Sequence, residues 1–185
     1  MPNVRGDEAL LDAVRQVWAS VWNCRAWQER QFWQIAHAAV YPAVVVQQAA
    51  AADGAGVLIT KDLTGQSSEP TITINAKRGL GLRVVDGQTL PEQILYARGS
   101  GRLQVTSRST DDVALVLAPG GGVVEQRSTP GAVVLDEPLV RALDRAAAKV
   151  ERLFPASGPL DLEWVVSAGR VLLVQVRPYV EAGAR

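Results

Sequence analysis

The sequence predicts an α+β domain, and three of its features do so. Helical spacing opens the chain, short alternating segments separated by turn residues follow, and one more helical stretch precedes a closing pair of strands. Long crossover helices between the strand segments are missing, so the sheet is expected to be largely antiparallel with flanking helices, not doubly wound. The 185 residues suffice for one domain with a real core, and residues 1–185 are read as a single domain.

Residues 7–36 read as helix because Leu10, Leu11, Val14, Val17, Trp18, Val21 and Trp22 recur on one face. Asp7 stands at the expected N-cap, with Glu8 in the first turn. Asn23 is a candidate break, after which Arg25 to Ile35 form a second helix that Pro42 stops. Trp18, Trp22 and Trp27 fall at helical spacing and are expected in the core. Cys24 lies between Trp22 and Trp27 and is expected to be a buried thiol. As the lone cysteine it excludes an internal disulfide and a cysteine-based metal cluster.

From Ala43 the period changes. Ala43–Gln48 and Gly56–Thr60 read as strands with Asp53-Gly54, a hairpin signal, between them. Thr71–Asn75 alternates as a third strand, and Gly79, Gly81 and Gly87 punctuate a loop. Gln93–Ala97 and Leu103–Ser107 are strand candidates, Ala118–Gly122 is a turn, and Val123–Arg127 another short strand. Leu139, Val140, Leu143, Ala147, Val150 and Leu153 set a helix over Glu137–Leu153, ended by Pro155, Gly158 and Pro159. Leu160–Val166 and Val171–Arg177 close the chain as strands.

Composition bounds the function. Lysine plus arginine and aspartate plus glutamate balance at 19 each, so no net field favours nucleic acid or a membrane surface. No apolar run is long enough to span a bilayer, and Asp7 and Glu8 interrupt the place a leader's apolar stretch would occupy. A cytoplasmic, reducing location is the expectation.

The terminal strand pair carries the chemistry. In the first strand Leu160, Leu162, Trp164 and Val166 share one face, and Asp161 and Glu163 share the other. In the second, Leu172, Val174 and Val176 are expected on the apolar face, with Gln175 and Arg177 opposite. Neighbouring carboxylates repel unless a cation stands beside them. A hard divalent cation held through carboxylate oxygens and completed by phosphates satisfies them, with Arg177 clamping the phosphates. The same pattern also describes a solvated face with an ordinary Asp161–Arg177 ion pair. In a regular hairpin, placing Glu163 opposite Gln175 and Asp161 opposite Arg177 puts the midpoint on Gly169. A three-residue turn, Ala168-Gly169-Arg170, is therefore expected. A two-residue turn at Ala168-Gly169 splits the cluster across the sheet unless a bulge compensates.

The string Asp161-Leu162-Glu163-Trp164, followed by Gln175-Val176-Arg177-Pro178, resembles the "D-I-E-W … Q-A-R-P" ending of the ATP-binding domain of phosphoenolpyruvate synthases, pyruvate phosphate dikinases and rifampin phosphotransferases. Further likenesses run in the same order. Val17-Trp18-Ala19-Ser20-Val21-Trp22 with Arg25-Ala26 and Arg30 resembles the family's "W-A-S-L-W … R-A … Y-R" helices. Ala43-Val44-Val45-Val46-Gln47 resembles "A-V-V-V-Q". Gly56-Val57-Leu58-Ile59-Thr60 with Asp62, Thr64 and Gly65 resembles "G-V-L-F-T-x-D-P-x-T-G", one residue short. Gly79-Leu80-Gly81 with Val84, Val85, Gly87 and Pro91 resembles "G-L-G-E-x-V-V-x-G-x-x-x-P".

The resemblance implies an ATP-grasp-like subdomain, Mg-ATP as ligand, and phosphoryl transfer to a histidine on a separate domain. It implies that Glu163 and Gln175 hold magnesium and nucleotide, that Asp161 belongs to their cluster, that Arg177 contacts ATP phosphates as the catalytic cation, and that Gln47 lies by the adenine. The sequence departs from the pattern at Leu82, where the family has glutamate, and at Leu63, where it has proline. It matches from the family's middle, so an N-terminal half of the ATP-binding domain and the phosphohistidine domain are the expected partners. Alone, the chain is expected to be inactive. His37, the single histidine, lacks the context of a phosphohistidine loop and is read as structural or exposed. The other class of reading is a non-catalytic interaction module that keeps the fold.

Overall fold

The structure is a computed structural model and describes residues 1–83 and 89–181. The chain divides into two compact units, one of Met1–Ala49 with Leu117–Val123 and one of Ala50–Val116 with Val124–Arg185.

The smaller unit holds α1 (Asp7–Ser20) and α2 (Cys24–Phe32). Gly6, not Asp7, is the N-cap of α1, and Asp7 falls in its first turn, where its charge favours the helix dipole. Asn23 does break the helical run: its side chain accepts from Ala26 N at 2.8 Å and caps α2. The aromatic residues correct the expectation of a core. Trp18, Trp22 and Trp27 are 52%, 58% and 42% exposed, α1 buries no residue, and Cys24 is exposed. Amphipathic spacing reports which side chains share a face, not whether anything covers that face. Residues 40–52 carry no regular structure, so the expected strand Ala43–Gln48 is absent and Asp53-Gly54 does not close a hairpin. Val45 is 88% exposed, and a β-branched run without a pairing neighbour has no ladder to join.

The larger unit is built on a six-stranded antiparallel sheet in the order β4-β3-β2-β1-β7-β8. Its strands are β1 (Gly54–Ile59), β2 (Thr71–Arg78), β3 (Glu92–Ala97), β4 (Leu103–Ser107), β7 (Leu160–Ser167) and β8 (Arg170–Pro178). A separate pair, β5 (Val113–Leu117) and β6 (Val123–Arg127), includes a strand, β5, that the periodicity did not reveal. α3 spans Glu137–Leu153, as its spacing predicts. Asp136 caps it by accepting from Leu139 N at 3.0 Å, and Pro138 sits in its first turn, where no N–H is needed.

Val140, Leu143, Ala147 and Val150 of α3 join Leu58, Ile72, Ile74, Ile94, Leu160, Leu162 and Trp164 in one core. Every second residue of the strands thus faces the core, and the intervening residues form the opposite, outer face. The helix is tied down by Arg98, which reaches Asp144 at 2.7 Å and Glu151 at 2.8 Å. Its lead-in segment is held by Glu92, fully buried, whose carboxylate accepts from Leu135 N at 2.9 Å and pairs with Arg108 at 2.5 Å. The architecture is largely antiparallel with few helices, in keeping with α+β.

Candidate functional site

The terminal hairpin corrects the expected turn while keeping the expected pairs. Ser167 pairs with Arg170, so the turn is the two residues Ala168-Gly169, with φ of 48° and 71°. Two positive φ values match the twist of the flanking strands, which is why tight hairpins favour such turns. The register then shifts between Glu163 and Trp164: Trp164 faces Leu173, whereas Glu163 faces Gln175 and Asp161 faces Arg177. Val174 is the extra residue of a β-bulge.

That bulge reverses the parity of β8 on its turn side. Val171, Leu173 and Val176 pack on the core, while Leu172 and Val174 are 37% and 39% exposed. The expectation that Leu172, Val174 and Val176 share the apolar face is therefore corrected. Without the bulge, Leu173 and Gln175 share a face, and either the core or the polar cluster loses a member.

The outer face gathers the predicted group. Arg177 donates from Nε at 2.8 Å and from Nη2 at 2.7 Å, both to Oδ2 of Asp161. The Asp161 side chain is 10% exposed and that of Arg177 59%, so a sheltered carboxylate anchors a guanidinium whose other edge is free to reach a ligand. The hydrogen bond that Arg177 donates to Asp161, then the Asp161 charge, hold Arg177 protonated still further above its ordinary range. Asp161 Oδ1 is buried and has no hydrogen-bond partner. A buried carboxylate oxygen without a donor or cation is costly, and a ligand or ion that supplies the missing partner relieves that cost. Next along the strands, Glu163 is half-buried and Gln175 exposed, directly paired. Among the described residues no group of three or more His, Cys, Asp or Glu side chains is placed to hold a metal ion. A cation here needs oxygen atoms from a ligand as well.

Gln47 belongs to the smaller unit and is exposed. With Leu10, Val14, Val17, Val44 and Val46 it lines a cleft of 420 Å³ in that unit. Leu82, in place of the family's glutamate, is 51% exposed. Val84, Val85 and Gly87 lie outside the described residues. His37 is half-buried, stacked on Trp27 with ring centroids 3.5 Å apart, and accepts from Arg30 Nε at 3.0 Å.

Asp62 organises the loop after β1. It accepts from Thr64 N at 2.8 Å, Thr64 Oγ1 at 2.7 Å and Ser67 N at 2.8 Å. These bonds, the Thr64 hydroxyl first, lower its pKa from the ordinary 3.8. A lowered carboxylate contributes stability that is present above the unfolded value and lost as pH falls through the folded one. Asp62→Ala is expected to cost about 1 kcal/mol at pH 7. Thermal melts should show the gap between the two proteins closing below about pH 4, the ordinary aspartate range. A gap that persists at pH 2 removes the carboxylate from the account.

The sequence reading missed Asn75 and Gln93. Asn75 pairs with Val57, which pairs with Glu163, and Asn75 also pairs with Gln93. One row thus crosses the outer face from Gln175 through Glu163, Val57 and Asn75 to Gln93. Thr71, Thr73 and Asn75 alternate with Ile72 and Ile74, which was the available signal; the lateral order of strands was not.

The family described as pyruvate phosphate dikinase, AMP/ATP-binding domain, matches residues 1–185. A probable phosphoenolpyruvate synthase of Methanothermobacter thermautotrophicus is 31% identical over 185 residues, covering 98% of this chain and 26% of the relative. Phosphoenolpyruvate synthase of Aeropyrum pernix is 30% identical over 209 residues, covering 95% and 25%. Rifampicin phosphotransferase of Bacillus subtilis is 27% identical over 179 residues, covering 95% and 20%. The chain spans about a quarter of the length of these first two relatives. No helix among the described residues is long and apolar enough to cross a membrane. With its whole described sheet and both terminal-strand motifs inside the matched span, the chain belongs to the pyruvate phosphate dikinase AMP/ATP-binding domain family.

Proposed function

We propose that this chain is the C-terminal portion of an ATP-grasp-like domain and binds Mg-ATP for phosphoryl transfer to a histidine on a separate domain. The observation that carries the reading is the Asp161–Arg177 pair with its unsatisfied Oδ1, seated beside the Glu163–Gln175 pair. The donor set fits magnesium: Glu163 and Gln175 offer the hard oxygen ligands that it prefers, and a nucleotide's phosphates supply others. Bound there, the ion neutralises charge developing on the transferred phosphoryl group. Arg177 grips phosphate oxygens, and Asp161 keeps its guanidinium in place.

The test is a thermal shift of the 185-residue chain. A ligand that prefers the folded state raises Tm by mass action. Mg-ATP should raise it, and ATP with excess chelator should raise it less. No rise with millimolar Mg-ATP overturns the reading. Turnover is expected only when the N-terminal half of the domain and the phosphohistidine domain are supplied. Robust ATPase activity of the chain alone contradicts the assignment of roles.

A second reading, an interaction module without catalysis, is favoured by one observation. Trp18, Trp22, Phe32 and Trp33 are 52%, 58%, 76% and 56% exposed within one short stretch. A chain that binds no nucleotide but associates with the complementary half supports it.

A further inference from the structure

The nucleotide site ends, in the reading above, at the terminal hairpin. The outer face continues past it. The row Gln175, Glu163, Val57, Asn75, Gln93 forms a half-exposed band flanked by buried positions. On one flank Ile59 and Thr73 are covered by the segment after β1, where Thr73 Oγ1 donates to Lys61 O at 2.9 Å and accepts from Leu63 N at 3.1 Å. On the other flank Ala55 and Lys77 are buried, and Lys77 Nζ reaches Thr89 at 2.6 Å and Asp111 at 3.4 Å. The floor of this trough crosses the strands, and its polar members lie on both sides of Val57.

Asn75 is oriented by a relay. Thr106, the extra residue of the bulge in the β3–β4 pair, donates to Gln93 Oε1 at 2.8 Å. Gln93 Nε2 in turn donates to Asn75 Oδ1 at 3.2 Å. Both amides are thereby fixed in rotation, and the Asn75 Nδ2 group is turned away from Gln93 with no acceptor among the described residues. Asn75 stands two strands from Glu163, about 10 Å at the usual strand spacing. A triphosphate anchored at Glu163 and lying across Val57 covers that distance with the reach of the two side chains.

We infer that Asn75 Nδ2 is a neutral hydrogen-bond donor to a non-bridging phosphate oxygen of the nucleotide held at Glu163, Gln175 and Arg177. The inference rests on the nucleotide reading. It extends that reading by a positioning residue on a strand that the terminal motif does not include. A neutral donor suits this end because it holds an anionic oxygen without adding a cation that competes with Arg177 for phosphate.

The test uses the 185-residue chain, with Mg-ATP and Mg-tripolyphosphate as probes, followed by calorimetry. Asn75→Asp keeps the shape and the acceptor for Gln93 but removes the donor, and is expected to weaken both probes about tenfold or more, as a lost bond to a charged group does. Asn75→Ser retains a donor and should recover most of the affinity. The Asn75 side-chain NH₂ signals, assigned by their loss in Asn75→Asp, should move on titration with the same saturation as binding. If both probes bind Asn75→Asp as they bind the parent, or the NH₂ signals stay fixed while the parent saturates, the inference falls and the nucleotide reading stands. Loss of Mg-ATP binding with Mg-tripolyphosphate unaffected also overturns it, since the contact is then to ribose or base. A parent chain that binds neither probe removes the nucleotide reading and the inference together.

Discussion

Gly56→Val is expected to abolish folding of the larger unit, and Gly56→Ala to cost a large part of its stability. A Cβ at residue 56 stands 1.9 Å from the Asn75 carbonyl oxygen and 2.6 Å from Cζ2 of Trp164. Neither neighbour has room to yield. Trp164 is 1% exposed at the centre of the core, and the Asn75 carbonyl is backbone of β2. β1 is paired on both edges, with β2 and β7, so it cannot slide from one partner without losing the ladder to the other. Overpacking against side chains alone costs about 1–3 kcal/mol, and a backbone clash adds to that. Against a total stability of about 5–15 kcal/mol for a domain, valine is expected to be fatal. Urea unfolding followed by circular dichroism measures the alanine variant. Trp164→Ala alone should cost about 3–5 kcal/mol through its cavity. Trp164→Phe should not rescue Gly56→Ala, because the shorter contact is to the Asn75 carbonyl. Rescue by that pair shows that the indole, not the strand backbone, sets the limit.

The second large effect is on binding. Arg177→Ala is expected to weaken Mg-ATP by roughly 10- to 100-fold, the scale of one or two lost charge-assisted bonds to phosphate. The same change strips the buried Asp161 carboxylate of its partner, so some stability goes with it. Asp161→Asn in the same chain separates the two effects, since it lowers the cost of the missing cation while leaving the phosphate contact absent. Arg177→Lys keeps the charge without the paired geometry and should fall between. Calorimetric titration of the four proteins decides it. Equal Mg-ATP affinity in parent and Arg177→Ala removes the phosphate role assigned to this residue.

Much of the larger unit was legible because its periodicities are local. α3 follows from six apolar positions and the stop at Pro155, Gly158 and Pro159, and β2, β3, β4 and β7 from alternation. The pairs Glu163–Gln175 and Asp161–Arg177 were also legible, though not the route by which they form. Alanine rarely takes a positive φ, so Ala168-Gly169 does not advertise a two-residue turn, and nothing in Leu173-Val174-Gln175 marks the bulge. Asn75 escaped notice because its relation to Glu163 depends on β1 lying between β2 and β7, an order set by tertiary packing. The aromatic face of α1 and α2 misled for a related reason. Spacing says that Trp18 and Trp22 share a face, and only coordinates say that they are exposed.

The placement of the indoles also makes the protein a two-channel optical reporter. Its five tryptophans divide by unit: Trp18, Trp22, Trp27 and Trp33 lie in the smaller, each at least 42% exposed, and Trp164 alone lies in the larger, at 1%. Water-exposed indoles emit at longer wavelength and meet soluble quenchers freely, whereas a sealed indole emits to the blue and is shielded. In acrylamide the red component should vanish first, leaving a spectrum that comes from a single ring beneath β1. Melting of the sheet can then be watched at the blue edge, while events on α1 and α2 are read at the red, without attaching a dye to either.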